Sequence, residues 1–185
     1  MADSAPAQTR ITAQEFARLP ETNLPMELID GEIITMASPK NRHQGIAARL
    51  FTLIQNSNSG GTLLFAPMDV YLDDLNVVQP DIFWVSGEQS ICKLGADDYW
   101  HGAPDLVIEI LSEGTALRDR REKFSLYEKH GTQEYWLVDP ANKVVEIWQR
   151  QGSQFQRQGV HTAGETFNSA VLGGKGIDLT GVFSV

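Results

Sequence analysis

The 185-residue chain reads as one α/β or α+β domain with a mixed central sheet, and three observations carry that reading. Asp30-Gly31 lies between two short apolar runs and suits the positive φ values of a two-residue hairpin turn. Ile46, Leu50, Leu53 and Ile54 recur at helical spacing, which marks an amphipathic helix that needs a sheet to pack on. Within Pro104-Asp105-Leu106-Val107-Ile108-Glu109-Ile110-Leu111-Ser112, the stretch after Asp105 is apolar enough for a buried strand, apart from the carboxylate of Glu109.

The elements follow in order. The first ten residues are small and polar, which predicts a disordered tail before a domain spanning 11–185. Thr12-Ala13-Gln14-Glu15 has the capping-box pattern, opening a short helix through Phe16 and Leu19 that Pro20 closes. Met26–Ile29 and Glu32–Met36 form the hairpin around Asp30-Gly31. The helix from Asn41 to about Asn56 ends at Asn58-Ser59-Gly60-Gly61. Strands are predicted over Leu63–Ala66, Asp69–Leu72 and Ile82–Val85, with Asp73–Asn76 as a turn. Ser86–Ala103 is predicted as a loop with a short helix, and after the Glu109 strand a helix runs from Thr115 to Lys129, capped by Gly131. Tyr135–Val138 and Val144–Trp148 make a second hairpin, with further short strands near Phe155 and Ile177.

Composition sets outer limits. The single cysteine, Cys92, excludes an intramolecular disulfide framework and a cysteine-rich zinc site, and the four histidines show no metal-ligand spacing. There is no apolar run long enough for a membrane helix and no secretory pattern at the start, so a cytoplasmic protein is expected. A formal net charge of −9 argues against nonspecific nucleic-acid binding, which Lys and Arg drive through phosphate neutralisation. Arg118, Arg120, Arg121 and Lys123 form the densest basic run, a pattern that also suits a solvated helix face.

The chemistry centres on acids in apolar settings. An unpaired charge on Glu109 inside a buried strand would shift its pKa or demand a cation. Asp81 stands at the mouth of another apolar strand, and two carboxylates on neighbouring strand ends suit a hard divalent cation. Alternation places Asp105, Val107, Glu109 and Leu111 on one face of the strand, with Leu106, Ile108 and Ile110 on the other. In the following helix Asp119, Lys123 and Tyr127 fall on one stripe, from which Lys123 can reach back toward Glu109 and Asp81. Each residue also suits a plainer role: Asp81 a strand-start turn, Glu109 an edge-strand acid or a salt bridge to Lys123, Lys123 a surface cation, Glu27 an exposed hairpin face, Asp105 a strand cap. Trp84, Trp136 and Trp148 suit core or dimer contacts better than base stacking.

Gln79-Pro80-Asp81, the Asp105–Ser112 strand, Asp119, Lys123, Tyr127, Gly131 and Glu134–Pro140, together with Met26–Ile33 and His43, resemble the Uma-two family. That is a bacterial group of proposed endonucleases in the PD-(D/E)xK, or restriction-endonuclease-like, superfamily, and the resemblance covers nearly the whole chain. It implies a restriction-endonuclease-like mixed central sheet flanked by helices, a magnesium or manganese site, phosphodiester hydrolysis of nucleic acid (DNA foremost), and a homodimer. By position, Asp81 and Glu109 match the metal-binding acids and Glu27 an acid serving or supporting another metal position. His43, Asp105, Asp119 and Tyr127 are supporting residues. The superfamily pattern places lysine two residues after the acid, where this chain has Leu111, so Lys123 takes the lysine role from the following helix. Two rival functions stand beside the nuclease: a noncatalytic binding or regulatory module on the same fold, and a metal-dependent hydrolase of a small phosphate ester.

Overall fold

The computed structural model describes residues 10–184 apart from positions 21, 23, 58, 59, 113 and 115. All of the expected disordered tail except Arg10 lies outside the described residues. Among the described residues fourteen strands and four α-helices form in the order α1 (Ala13–Phe16), β1 (Met26–Ile29), β2 (Glu32–Thr35), α2 (Asn41–Asn56), β3 (Thr62–Phe65), β4 (Val70–Asp73), β5 (Asn76–Val78), β6 (Ile82–Val85), β7 (Lys93–Leu94), β8 (Trp100–His101) and β9 (Leu106–Ile110). Then come α3 (Ala116–Arg118), a π-helical turn (Asp119–Lys123), α4 (Phe124–His130), β10 (Glu134–Asp139), β11 (Val144–Gln151), β12 (Gln154–Thr162), β13 (Thr166–Ser169) and β14 (Lys175–Asp178).

The central sheet has the order β12-β11-β10-β9-β6-β3. Only β9 and β10 run parallel within it, connected through the helical segment between them, as a parallel pair requires. A second six-stranded sheet has the order β2-β1-β5-β4-β8-β7, and β13 pairs with β14 in a separate hairpin. One face of the central sheet carries Ile82, Trp84, Leu106, Ile108, Ile110 and Trp136, packed against Ile46, Leu50 and Ile54 of α2 and against the β13–β14 hairpin. Its other face carries Phe83, Val107, Tyr135 and Leu137, packed against α4 and the second sheet. Beyond the second sheet, Ala13 and Phe16 of α1 cover Leu28 and Val77.

Local signals formed as their chemistry dictates. Thr12 and Glu15 exchange both capping-box bonds, Asp30 and Gly31 take φ of 49° and 80° in the β1–β2 turn, and Gly131 ends α4 in the left-handed region. Four expectations are corrected. Ser86–Ala103 contains β7 and β8 and, among its residues, no helix, because Trp100-His101 pairs with Val70-Tyr71 in the second sheet. Asn76 opens β5 rather than merely closing a turn, since Val77 and Val78 are fully buried between β1 and β4. The helix after β9 is interrupted by the π-helical turn, and the strand near Phe155 extends from 154 to 162.

Candidate active site

Strand β9 lies between β10 and β6, so Glu109 is in the middle of the sheet and only 3% exposed, which removes the edge-strand reading. Alternation turns it with Val107 toward the second sheet. On β1 the same rule separates Leu28, packed on α1, from Glu27 and Ile29, which face the central sheet. Glu27 is completely buried, not an exposed hairpin acid. Two carboxylates from different sheets therefore meet in one apolar layer, an arrangement that repels itself unless a cation lies between them.

Lys123 is that cation. Its Nζ lies 2.7 Å from Glu27 Oε1 and 3.0 Å from Glu109 Oε1, and it is as buried as they are. Tyr127 adds an O–H bond of 2.9 Å to the same Glu109 oxygen, and the backbone N–H of Gln79 donates to Glu27 Oε1 at 2.8 Å. The π-helical turn has a geometric consequence here. In an α-helix each step of four residues advances about 40° around the axis, so three residues spaced by four would fan out over about 80°. A π turn rotates less per residue and offsets that drift. Asp119, Lys123 and Tyr127 are accordingly all buried on one line.

Asp81 reaches the same place from β6. The β6–β9 ladder pairs Phe83 with Val107 and Ile82 with Ile108, so Asp81 follows opposite Glu109 on the same face. Its Oδ2 accepts the backbone N–H of Ile110 at 2.7 Å and faces Nε2 of His43, third residue of α2, at 3.1 Å. Asp119 contributes its charge to the cluster, and its carbonyl accepts the Tyr135 hydroxyl at 3.1 Å. Asp105 stands apart, at the start of β9. It accepts the Ser86 N–H at 2.8 Å through Oδ2 and the Gln133 and Glu134 N–H groups through its carbonyl, so it ties strand ends together.

Burial pushes the Glu109 carboxyl well above the usual carboxylate range; Lys123 pulls against this, while Asp81, Asp119 and Glu27 reinforce it. For Lys123 burial disfavours the charge, but the surrounding Glu109, Glu27 and Asp119 outweigh it and hold the ammonium protonated. Burial, then Glu109, raise Tyr127, which stays a hydroxyl donor. His43 is shifted upward because its bond to Asp81, with the charge behind it, overcomes the cost of burial. One ammonium thus faces several acids. The pinning is one-sided: among the described residues Glu109 is bonded only through Oε1 and Asp81 only through Oδ2, while Glu27 Oε2 is buried without a hydrogen bond. No three His, Cys, Asp or Glu side chains among the described residues are already gathered as a metal shell.

Sequence reasoning did not single out Tyr135 or Asp69. Asp69, its carboxyl raised by burial, accepts Gln79 Nε2 at 2.7 Å beside Glu27. A polar residue just ahead of the buried β4 was the available signal. Of the tryptophans, Trp84 and Trp136 are core residues, and Trp148 packs edge-on against Phe124. The basic run splits: Lys123 is buried, Arg120 pairs with Glu146 and Asp139, and Arg118 with Glu122.

A mixed sheet with an acid on its parallel central strand, a second acid opposite it, and a lysine from the following helix defines a restriction-endonuclease-like fold. The chain belongs to the Uma2 family, described as "Putative restriction endonuclease", whose profile matches residues 13–180. It is similar to the crystal structure of a "putative nuclease belonging to DUF820" from Anabaena variabilis, with a TM-score of 0.75 and 23% identity over 94% of this chain and 98% of that one. At that identity the likeness shows the fold. An uncharacterized protein of Synechocystis sp. is 28% identical over 128 residues, 67% of this chain and 65% of the relative's length. In the described residues no helix is long and apolar enough to cross a membrane.

Proposed function

We propose that the chain is a magnesium- or manganese-dependent endonuclease that hydrolyses phosphodiester bonds of nucleic acid, DNA foremost. The observation that carries this reading is the pair of opposed carboxylates, each anchored through one oxygen, beside a buried lysine. Magnesium takes one or two carboxylates and completes its shell with water and substrate phosphate, so two acids with an open oxygen each fit it without a third protein ligand. Asp81 and Glu109 would hold it. When bound, the cation supplies Lewis-acid polarisation of the phosphate and a water made more acidic at neutral pH.

The protein's own groups supply the rest. Lys123 neutralises Glu109 and Glu27 and sets a fixed positive charge next to the site, where negative charge grows on the phosphoryl oxygens. Tyr127 keeps Glu109 in one rotamer. Hydrolysis adds one water across a P–O bond and leaves a phosphate monoester and a hydroxyl end. Cutting a duplex takes two such events, which fits a homodimer. Burial pushes the lone Cys92 thiol up to about 12, so it stays protonated and unreactive and takes no part in the chemistry.

The formal charge of −9 and the leucine at position 111, where the superfamily pattern has lysine, favour a noncatalytic binding or regulatory module on this fold. Incubation of the full chain with supercoiled and linear duplex DNA, single-stranded DNA and RNA, with manganese or magnesium, separates the two. The nuclease reading expects manganese-supported cleavage that disappears in Asp81→Asn and Lys123→Ala. Metal binding without cleavage of any substrate would transfer the assignment to the noncatalytic module or to a hydrolase of small phosphate esters.

A further inference from the structure

We infer that His43 is a positioning residue for the cation site: with the Ile110 N–H it fixes Oδ2 of Asp81 and so presents Oδ1 as the ligand atom. The inference rests on the proposed cation site and extends it to a residue on a different element.

Three observations converge. First, the two bonds to Asp81 come from two different elements, 2.7 Å from the backbone N–H of Ile110 in β9 and 3.1 Å from the ring of His43 in α2, yet both end on Oδ2. A carboxylate held by two donors at one oxygen has lost its freedom to rotate about the terminal torsion, and its second oxygen keeps its lone pairs. Second, Glu109 is treated the same way: Lys123 and Tyr127 both end on Oε1. Each acid of the pair thus has two protein donors on one oxygen and none, among the described residues, on the other. On the structural carboxylate Glu134 the bonds are instead spread over both oxygens. That residue receives Trp136 and Ser169 on Oε1 and Gln149 and Ala170 on Oε2. Third, His43 is anchored independently of the site. It belongs to the first turn of the sixteen-residue α2, whose Ile46, Leu50 and Ile54 are locked into the core on the far face of the sheet. The packed helix fixes where the His43 side chain starts from, and the bond from its ring to Oδ2 holds Asp81.

Because the acceptor is a carboxylate, Nε2 carries the proton in this bond. Partners behind a metal ligand typically change metal affinity by about 10–100-fold when removed.

The test is calorimetric titration of the metal-free full chain with manganese alone, on wild type, His43→Ala, His43→Gln and Asp81→Asn, with thermal melting of each without metal. His43→Gln keeps an N–H donor near the Nε2 position. The inference expects manganese affinity to fall about tenfold or more in His43→Ala. It expects His43→Gln to recover most of that loss, and the metal-free melting temperature of His43→Ala to stay near wild type. In cleavage assays the manganese concentration for half-maximal rate should rise more than the rate at saturating manganese falls. Unchanged affinity in His43→Ala, or a loss that His43→Gln does not repair, overturns the positioning role while leaving the cation site intact. Wild type and Asp81→Asn that bind manganese alike overturn the cation site itself, and the inference with it.

Discussion

Replacing Lys123 by methionine keeps a long, flexible side chain in the layer between the two sheets and removes only its charge. Glu109 and Glu27 would then be left buried, repelling each other, with Tyr127 and the Gln79 N–H as their remaining donors among the described residues. Removing one partner of a buried ion pair costs about 3–5 kcal/mol. For a chain of this size each kcal/mol lowers the melting temperature by roughly 2–4 °C, so a drop of about 6–20 °C is expected. The pH dependence follows from the two shifts. Lys123 is raised on folding, so the stability its ammonium contributes is fully present below its ordinary pKa and is lost only far on the alkaline side. Glu109 is also raised, so its contribution is complete below its unfolded value, near 4.5, and is lost as pH climbs toward its folded one. Without Lys123 the folded value of Glu109 rises further. The deficit of Lys123→Met should therefore be small near about pH 5 and widen toward about pH 8. Manganese at about 100 times its dissociation constant should return about 2.7 kcal/mol. Differential scanning calorimetry across that pH range, with and without manganese, reads all three effects. A variant melting within about 2 °C of wild type at about pH 8 would refute the claim that Lys123 holds two buried acids together.

Glu109→Gln keeps the side chain's shape and leaves Lys123 paired with Glu27. Manganese affinity by calorimetry should fall at least tenfold, with the metal-free melting temperature equal to or above that of wild type, because a source of acid repulsion is gone. Glu134→Ala strands four donors that now converge on one fully buried carboxylate, those of Trp136, Ser169, Gln149 and Ala170. It should cost about 3 kcal/mol or more in urea unfolding, since each unsatisfied buried donor costs about 1–3 kcal/mol, and it should leave manganese affinity unchanged.

Much of this protein was legible in its residues because the signals are local. The Asp30-Gly31 turn, the Thr12/Glu15 capping box, the helical spacing of Ile46, Leu50 and Ile54, and the Gly131 cap each depend on a few neighbouring residues. Strand alternation likewise fixed which face of β9 carries Glu109, since the period of two leaves no choice once the apolar face is buried. The ordered set of acids and lysine pointed to the family, and the match over residues 13–180 agrees. Tertiary structure alone decided the rest. That Glu27 faces Glu109 depends on a second sheet stacking on the first, and no spacing within β1 encodes which layer lies opposite. That Asp81 falls beside Glu109 is set by the β6–β9 register, a pairing between segments 26 residues apart at Ile82 and Ile108. The excursion between β6 and β9 misled because two-residue strands carry no periodicity and exist only where a partner edge is offered. The π-helical turn is invisible to a helical pattern, since a single wider turn shifts the register of the apolar residues without changing their types. A charged residue declares in the sequence that it must be compensated; which group compensates it is settled only when distant segments are packed into the same low-dielectric layer.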